Sequence, residues 1–475
     1  MKKAIVLILC IAMMVQLTAC KHKDDSSEHA VNMPSDKEIK EQDYNPPITP
    51  TPTPSKEDSL LDEPSYEVFP KQEENIIEVF HKAVAAPVFP VRDEMISRYE
   101  LRMSIDPQYI ASLKAFSAEL SAKALVGREE NVMISPINIQ MALALAAAGA
   151  KGATREEIME TLYLQDKDID YLATENEKLF QLLYTYDAIS KLTIADSLWL
   201  DKDIRFRKEY LDTAAKQFYA SLYEVDFSDK ETGELMSQWI YENTGKLMQP
   251  DITTAPEQIF SIISTIYLKD EWLDLFQEEE IETEPFYLTD HSEVACEYLH
   301  RTINPYSYVK EEGFLSAKLY TKGYLEVQFI LPDEGMKPDD LLNSPQLLEE
   351  ALYSKEEKSA QINFHIPKFS FGSSFPFKEI LRDMGITTAF AQDADFSEAM
   401  DTETAYLSEV VHETHVGIDE KGIEAGAFTN LIYFGAAPGT EEVVEFNLNR
   451  PFLFVVSKEE VILFLGVVNN PSLMN

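Results

Sequence analysis

The order in which the chain changes its hydrophobic period constrains its fold more than any other feature. Ahead of Leu192 the apolar residues recur at helical spacing, and beyond it they alternate or run together as strands do. Asp106 is placed as an N-cap with Pro107 at the first helical position, and Ile110, Leu113, Phe116, Leu120 and Ala124 follow on one face. Ser135-Pro136 opens a second helix by the same logic, running through Met141, Leu145 and Ala148 to a stop near Gly149. A third opens where Thr154 and Glu157 have capping-box spacing. These three helices are expected to precede any strand. β-like runs follow at Leu192 to Leu200, Ile262 to Leu268, Tyr324 to Leu331 and Ala360 to Phe371. Three more crowd the end, at Glu409 to Ile418, Glu442 to Leu448 and Pro451 to Val456. Without a βαβ rhythm, the pattern predicts an α+β fold with largely antiparallel sheets.

The chain has the material for a large core, with 45% hydrophobic and 11% aromatic residues in 475. Its net charge of -42 argues against nucleic acid as a partner, because binding phosphates depends on Lys and Arg displacing counterions.

Lys2 and Lys3, the apolar run Ala4 to Val15, and Leu17-Thr18-Ala19-Cys20 read as a secretory signal, too short for a spanning helix. Ala19 before Cys20, with Leu17 three residues before it, resembles the bacterial lipobox. Residues 1–19 are therefore expected to be a lipoprotein signal peptide, and Cys20 the lipidated N-terminus at a bacterial cell surface or envelope. Cys10 leaves with the signal, so Cys296 stands alone in the mature domain and has no disulfide partner there. Residues 20–104 form a polar spacer with Asn45-Pro46-Pro47 and a Thr-Pro run at its centre, favouring extended polyproline II. From Asn75 to Glu100 the chain turns apolar and is expected to pack on the domain edge.

Enzyme chemistry leaves no trace: there is no Gly-x-Ser-x-Gly elbow, Walker loop or Gly-x-Gly-x-x-Gly after a strand. In His412-Glu413-Thr414-His415 the histidines are three positions apart, not the four of a zinc-binding helix, and in a strand they face opposite ways. The chain is expected to be no enzyme and to need neither metal nor cofactor.

Between the runs ending near Ile418 and beginning near Val443 lies a connection of roughly two dozen residues, where compact domains favour loops under about ten. In its first half, Ile423, Ala425, Ala427 and Thr429 share one face and carry no charge. Its second half, Asn430 to Thr440, exposes Leu-Ile-Tyr-Phe-Gly-Ala-Ala-Pro-Gly, which suggests that something binds it.

Read with this loop, the chain resembles the serpin family over about 370 residues, from the first helix to Pro471. The resemblance rests on an ordered set: Asn131-Val132-Met133-Ile134-Ser135-Pro136, Gly149-Ala150-Lys151-Gly152-Ala153-Thr154, and Ile266-Tyr267-Leu268-Lys269 with Trp272 and Phe276. Pro367-Lys368-Phe369, Ala394-Asp395-Phe396-Ser397, Leu407-Ser408-Glu409-Val410-Val411-His412, Glu420-Lys421-Gly422-Ile423-Glu424-Ala425 and Pro451-Phe452-Leu453-Phe454 complete it.

The resemblance implies a serpin fold over 105–475, with three largely antiparallel sheets, about nine helices and a reactive loop at about 420–442. It also implies a monomeric suicide inhibitor: a serine protease, or a cysteine protease, attacks the loop, and the cut hinge inserts into the central sheet. Ladder hydrogen bonds of about 0.5–1.5 kcal/mol each would give on the order of 10 kcal/mol for a dozen inserted residues. By the family's spacing the scissile bond is Ala436-Ala437, which suits elastase-like targets; Phe434-Gly435 is the alternative, for chymotrypsin-like or cathepsin-like enzymes. Subtilisin-like enzymes are further candidate partners, and the loop from Ile423 to Thr440 has no Lys or Arg for a trypsin-like one. Hinge residues are Glu420, Gly422, Ile423, Ala425, Ala427 and Thr429, and the cluster governing sheet opening is Ser135, Asn138, Ser264, Trp272 and His412. Ser264 replaces a common Asn there, and Ile423, Gly426 and Phe428 depart from the usual hinge. A non-inhibitory surface binding protein of the same fold is the competing expectation.

Overall fold

The computed structural model describes residues 83–85, 98–401, 405–407, 411–423 and 442–473. The first expected helix is Pro107–Leu125, where the Asp106 carboxylate accepts from the Gln108 amide at 2.8 Å and Pro107 fills the first turn. Its apolar face, including Leu113, Phe116 and Leu120, is buried. The second, Pro136–Gly149, is buried almost all round because it lies between the strands Phe260–Glu271 and Val461–Val468.

The third helix differs from expectation. It runs Gly152–Thr161 with Lys151 as N-cap, so Thr154 and Glu157 lie inside it and form no capping box. Instead Thr154 Oγ1 accepts from the Asp395 amide at 2.9 Å, and the Glu157 carboxylate accepts from the Thr387 and Thr388 amides at 2.8 and 2.7 Å. Polar side chains that look like local caps in sequence are here used to tie down a distant segment.

Nor do three helices precede every strand. Val132–Ile134, only three residues long and therefore without a readable period, pairs antiparallel with Val461–Val468 between the first two helices. Ahead of Ile105, the helix Arg98–Ser104 hydrogen-bonds through Arg98 to the Tyr184 carbonyl and the Thr185 hydroxyl, and Ala83–Ala85 pairs with Ser221–Val225. The expected run Ala360 to Phe371 is two strands, Lys358–Pro367 and Phe369–Pro376, which belong to different sheets. The chain changes sheet beside Pro367, which has no amide with which to continue a ladder.

One sheet has the order 83–85, 221–225, 191–201, 260–271, 422–423, 411–418, 369–376, with 185–186 attached to 191–201. The other path runs 443–447, 358–367, 293–311, 314–320, 326–332, 452–458, 461–468, 132–134, with 282–287 attached to 293–311. The 19-residue strand Glu293–Glu311 joins what are otherwise two sheets, giving the expected three. Pairing is antiparallel except for 191–201 with 221–225 and 358–367 with 443–447. Ten α-helices lie among the described residues, close to the expected nine. None of the described helices is long and apolar enough to cross a membrane. Cys296 is a buried core residue.

Candidate functional site

The strand Val411–Ile418 ends in a turn built by one side chain. Asp419 Oδ1 accepts from the Lys421 and Gly422 amides at 2.8 and 3.1 Å, and the chain reverses direction. Gly422–Ile423 then enters the sheet between Phe260–Glu271 and Val411–Ile418: Ile423 lies opposite Ile418 on one side and Asp270 on the other. Gly422 is required by this close approach, since a Cβ there would meet the Asp270 carbonyl oxygen at 2.0 Å. Ile423 is 1% exposed, so the first apolar residue of the expected hinge is already part of the core.

The turn is held from the neighbouring strand. The Trp272 indole donates to the Asp419 carbonyl at 2.8 Å, the Trp272 amide to the Lys421 carbonyl at 2.9 Å, and the Phe276 amide to the Glu420 carbonyl at 3.2 Å. Burial would raise the Glu420 carboxyl, but hydrogen bonding and Lys368, 3.0 Å away, hold it below the ordinary carboxylate range. Beside it, burial pushes Asp270 up to about 6 although Thr321 Oγ1 donates to it at 2.6 Å and the Gly323 amide at 3.0 Å.

Further along the same two strands lies a second polar group. The Ser135 amide donates to His412 Nε2 at 2.9 Å; the Asn138 amide donates to Ser135 Oγ at 3.4 Å, and its side-chain amide to the Ser264 carbonyl at 3.0 Å. The Ser264 hydroxyl donates to Asn138 Oδ1. The N-terminal turn of the helix Pro136–Gly149 thereby bonds to both strands that flank the hinge. Burial lowers His412 to about 3, so its ring is neutral at pH 7 with Nε2 as the acceptor. His415 faces the other way, within 3.5 Å of Ser370 Oγ, so these histidines form no joint metal site.

Residues 111–471 match the sequence model of a family described as serpin, serine protease inhibitor. The chain belongs to the serpin family. Among its relatives, an uncharacterised serpin-like protein of Thermococcus kodakarensis is 28% identical over 371 residues, covering 76% of this chain and 85% of that protein. Serpin B3 of Homo sapiens is 27% identical over 385 residues, covering 75% of this chain and 97% of that protein. The native-state crystal structure of the thermophilic serpin tengpin superimposes with a TM-score of 0.71 at 26% identity, covering 82% of this chain and all of tengpin.

In this serpin hydrogen bonds bring Ser135, Asn138, Ser264 and His412 together, whereas Trp272 does not join them. Trp272 sits at the hinge end of the sheet, because its indole is needed by the Asp419 carbonyl. Glu420, Gly422 and Ile423 are placed at the hinge; Ala425, Ala427, Thr429, Phe434, Gly435, Ala436, Ala437 and Cys20 lie outside the described residues. Three participants escape a sequence reading: Lys368, Asp270 and Asp196. Asp196 is paired in register with Ser264, is fully buried, and is raised to about 7 by that burial; the Ser264 hydroxyl is spent on Asn138, and neither Asp196 carboxylate oxygen has a hydrogen-bond partner among the described residues. A lone acid within the apolar run Leu192 to Leu200 is the signal that could identify it.

Proposed function

We propose that this serpin is a suicide inhibitor of serine proteases whose cut loop enters the sheet at Gly422–Ile423, with elastase-like enzymes cleaving Ala436-Ala437 as the principal targets. One observation carries the reading: the hinge already pairs with both flanking strands in the register that an inserted strand needs. On insertion, the same register would bring Ala425 beside Leu268 and Val416, Ala427 beside Ile266 and Thr414, and Thr429 beside Ser264 and His412. The small uncharged face of the loop would then meet the buried faces of both strands and end at the Ser135 to His412 cluster. Glu424 and Phe428 would fall on the opposite face, where charge and bulk desolvate less. A cleavage at Phe434-Gly435 would redirect the inhibitor to chymotrypsin-like or cathepsin-like enzymes.

Lipid at Cys20 and the Pro-rich spacer would display this inhibitor on a bacterial envelope. Cys20→Ser should release the protein into the medium; continued membrane fractionation of that variant would remove the anchor.

The test of inhibition mixes the chain without residues 1–19 with elastase-like, chymotrypsin-like and subtilisin-like proteases. A denaturant-stable complex, with the released peptide mapped by mass spectrometry to Ala436-Ala437, is expected. Cleavage without a complex would make the chain a non-inhibitory binding protein instead.

A further inference from the structure

We propose that the face of the sheet formed by Glu282–Tyr287, Glu293–Glu311 and Lys358–Pro367 carries a divalent metal site of the zinc class, with Glu284, His300 and His365 as ligands. One ligand atom from each residue lies within 4.8 Å of the other two, and all three side chains are partly accessible. His300 and His365 are directly opposite in register, and Glu284 reaches them from the adjoining strand.

The geometry of this trio suits a cation. His300 Nδ1 is 2.7 Å from the Glu280 carbonyl oxygen, an acceptor only, so Nδ1 carries the proton. That leaves the Nε2 lone pair aimed at Glu284 Oε1 across 2.5 Å. Either a proton on Nε2 or a bound cation can bridge the two atoms. His365 Nδ1 lies 3.2 and 3.4 Å from the two oxygens of the same carboxylate. The two imidazole rings lie edge to face with centroids 4.6 Å apart, close enough for both to reach one ion. One metal ion would take a lone pair from each of the three groups. Ligands at about 2.0–2.2 Å around a tetrahedral ion sit roughly 3.3–3.5 Å from one another, so only side-chain adjustment is needed.

The distal nitrogen of His300 fits the same reading. Zinc-bound imidazoles usually donate their other N–H to a carbonyl or carboxylate, which fixes the tautomer and strengthens the ligand. Here His300 has the Glu280 carbonyl at 2.7 Å, whereas His365 Nε2 lies 4.0 Å from Glu445 Oε2 and would need that side chain to move closer. Glu279 and Glu282 line the same cleft and add negative potential, while Arg301, which also lines it, is paired with Asp274 at 3.1 Å. Two nitrogens, one carboxylate oxygen and a free fourth position suit Zn2+ better than Ca2+ or Mg2+, which prefer all-oxygen shells. No sequence motif reveals such a site, because each ligand comes from a different strand.

Metal-stripped full chain is titrated with Zn2+ by calorimetry and with Co2+ by visible absorption, neither of which depends on protease inhibition. The parent should bind one ion at this site, give the intense d–d bands of four-coordinate Co2+, and melt at higher temperature with Zn2+ than in chelator. His300→Gln, His365→Gln and Glu284→Gln should each weaken binding at least 10-fold and lose the Co2+ bands, while Glu445→Gln weakens it less and His415→Ala leaves it unchanged. Melting in chelator establishes that each variant is folded; should one not fold, the remaining two ligand variants carry the comparison. Absence of Zn2+ binding by the parent, or unchanged binding by the folded double variant His300→Gln/His365→Gln, would overturn the site.

Discussion

The Ser135 amide donates to His412 Nε2 at 2.9 Å in a fully buried setting, joining the first turn of a core helix to a strand beside the hinge. This bond exists only while Nε2 is unprotonated. Burial lowers His412 from 6.5 in the unfolded chain to about 3, so between those values the unfolded state binds the proton that the folded state refuses. The stability contributed by His412 is therefore complete above pH 6.5 and declines as pH falls toward 3. His412→Gln should flatten that part of the stability profile. It should also lower stability at pH 7 by about 1–3 kcal/mol wherever the amide loses its acceptor, as read from denaturant unfolding across pH.

Asp196 gives the opposite slope. Its folded value, raised to about 7 by burial, exceeds the unfolded 3.8, so its favourable contribution is full below pH 3.8 and is lost as pH rises through 7. Asp196→Asn keeps the shape and removes the charge. The variant should be more stable than the parent at pH 8, by up to a few kcal/mol, and the difference should vanish toward pH 4. Equal stability of the two proteins across this range would show that the carboxylate is not buried as a charge.

Much of this arrangement is legible because its signals are local. Asp106-Pro107 and Ser135-Pro136 announce helix starts through their own amides, and both starts stand where the sequence puts them. Thr154 and Glu157 have the same kind of spacing but are engaged by Asp395, Thr387 and Thr388, more than two hundred residues away, which no local pattern reveals. The strand Val132–Ile134 is too short for a period, and its pairing with Val461–Val468 is purely long-range. Family resemblance groups Trp272 with the residues around His412, whereas its position is decided by one indole N–H and the Asp419 carbonyl.

That indole bond yields a third prediction. Trp272→Phe retains a large buried ring but leaves the Asp419 carbonyl without its 2.8 Å donor. The cost should be about 1–3 kcal/mol of stability. Because the Trp272 amide still reaches the Lys421 carbonyl, the turn should loosen without detaching. Amide exchange at Gly422 and Ile423 should accelerate relative to the core strand Val461–Val468, and unchanged protection would refute the role given to the indole.

Ile423→Arg tests insertion itself. The side chain is 1% exposed between Ile418 and Asp270, so Arg must either bury a charge or expel the first strand pair of the hinge from the sheet. The neighbouring Asp270 carboxylate is already occupied by Thr321 and Gly323 and offers little compensation. Attack on the distant scissile bond should be unaffected, while insertion slows against deacylation. The expected outcome is a shift from covalent complex to cleaved serpin, measured by quantifying both bands after reaction with an elastase-like protease. Ile423→Val, which preserves burial and neutrality, should retain the parent's partition. Should the Arg variant, folded by its melting curve, form complex in the parent's yield, entry of the loop at Gly422–Ile423 would have to be abandoned.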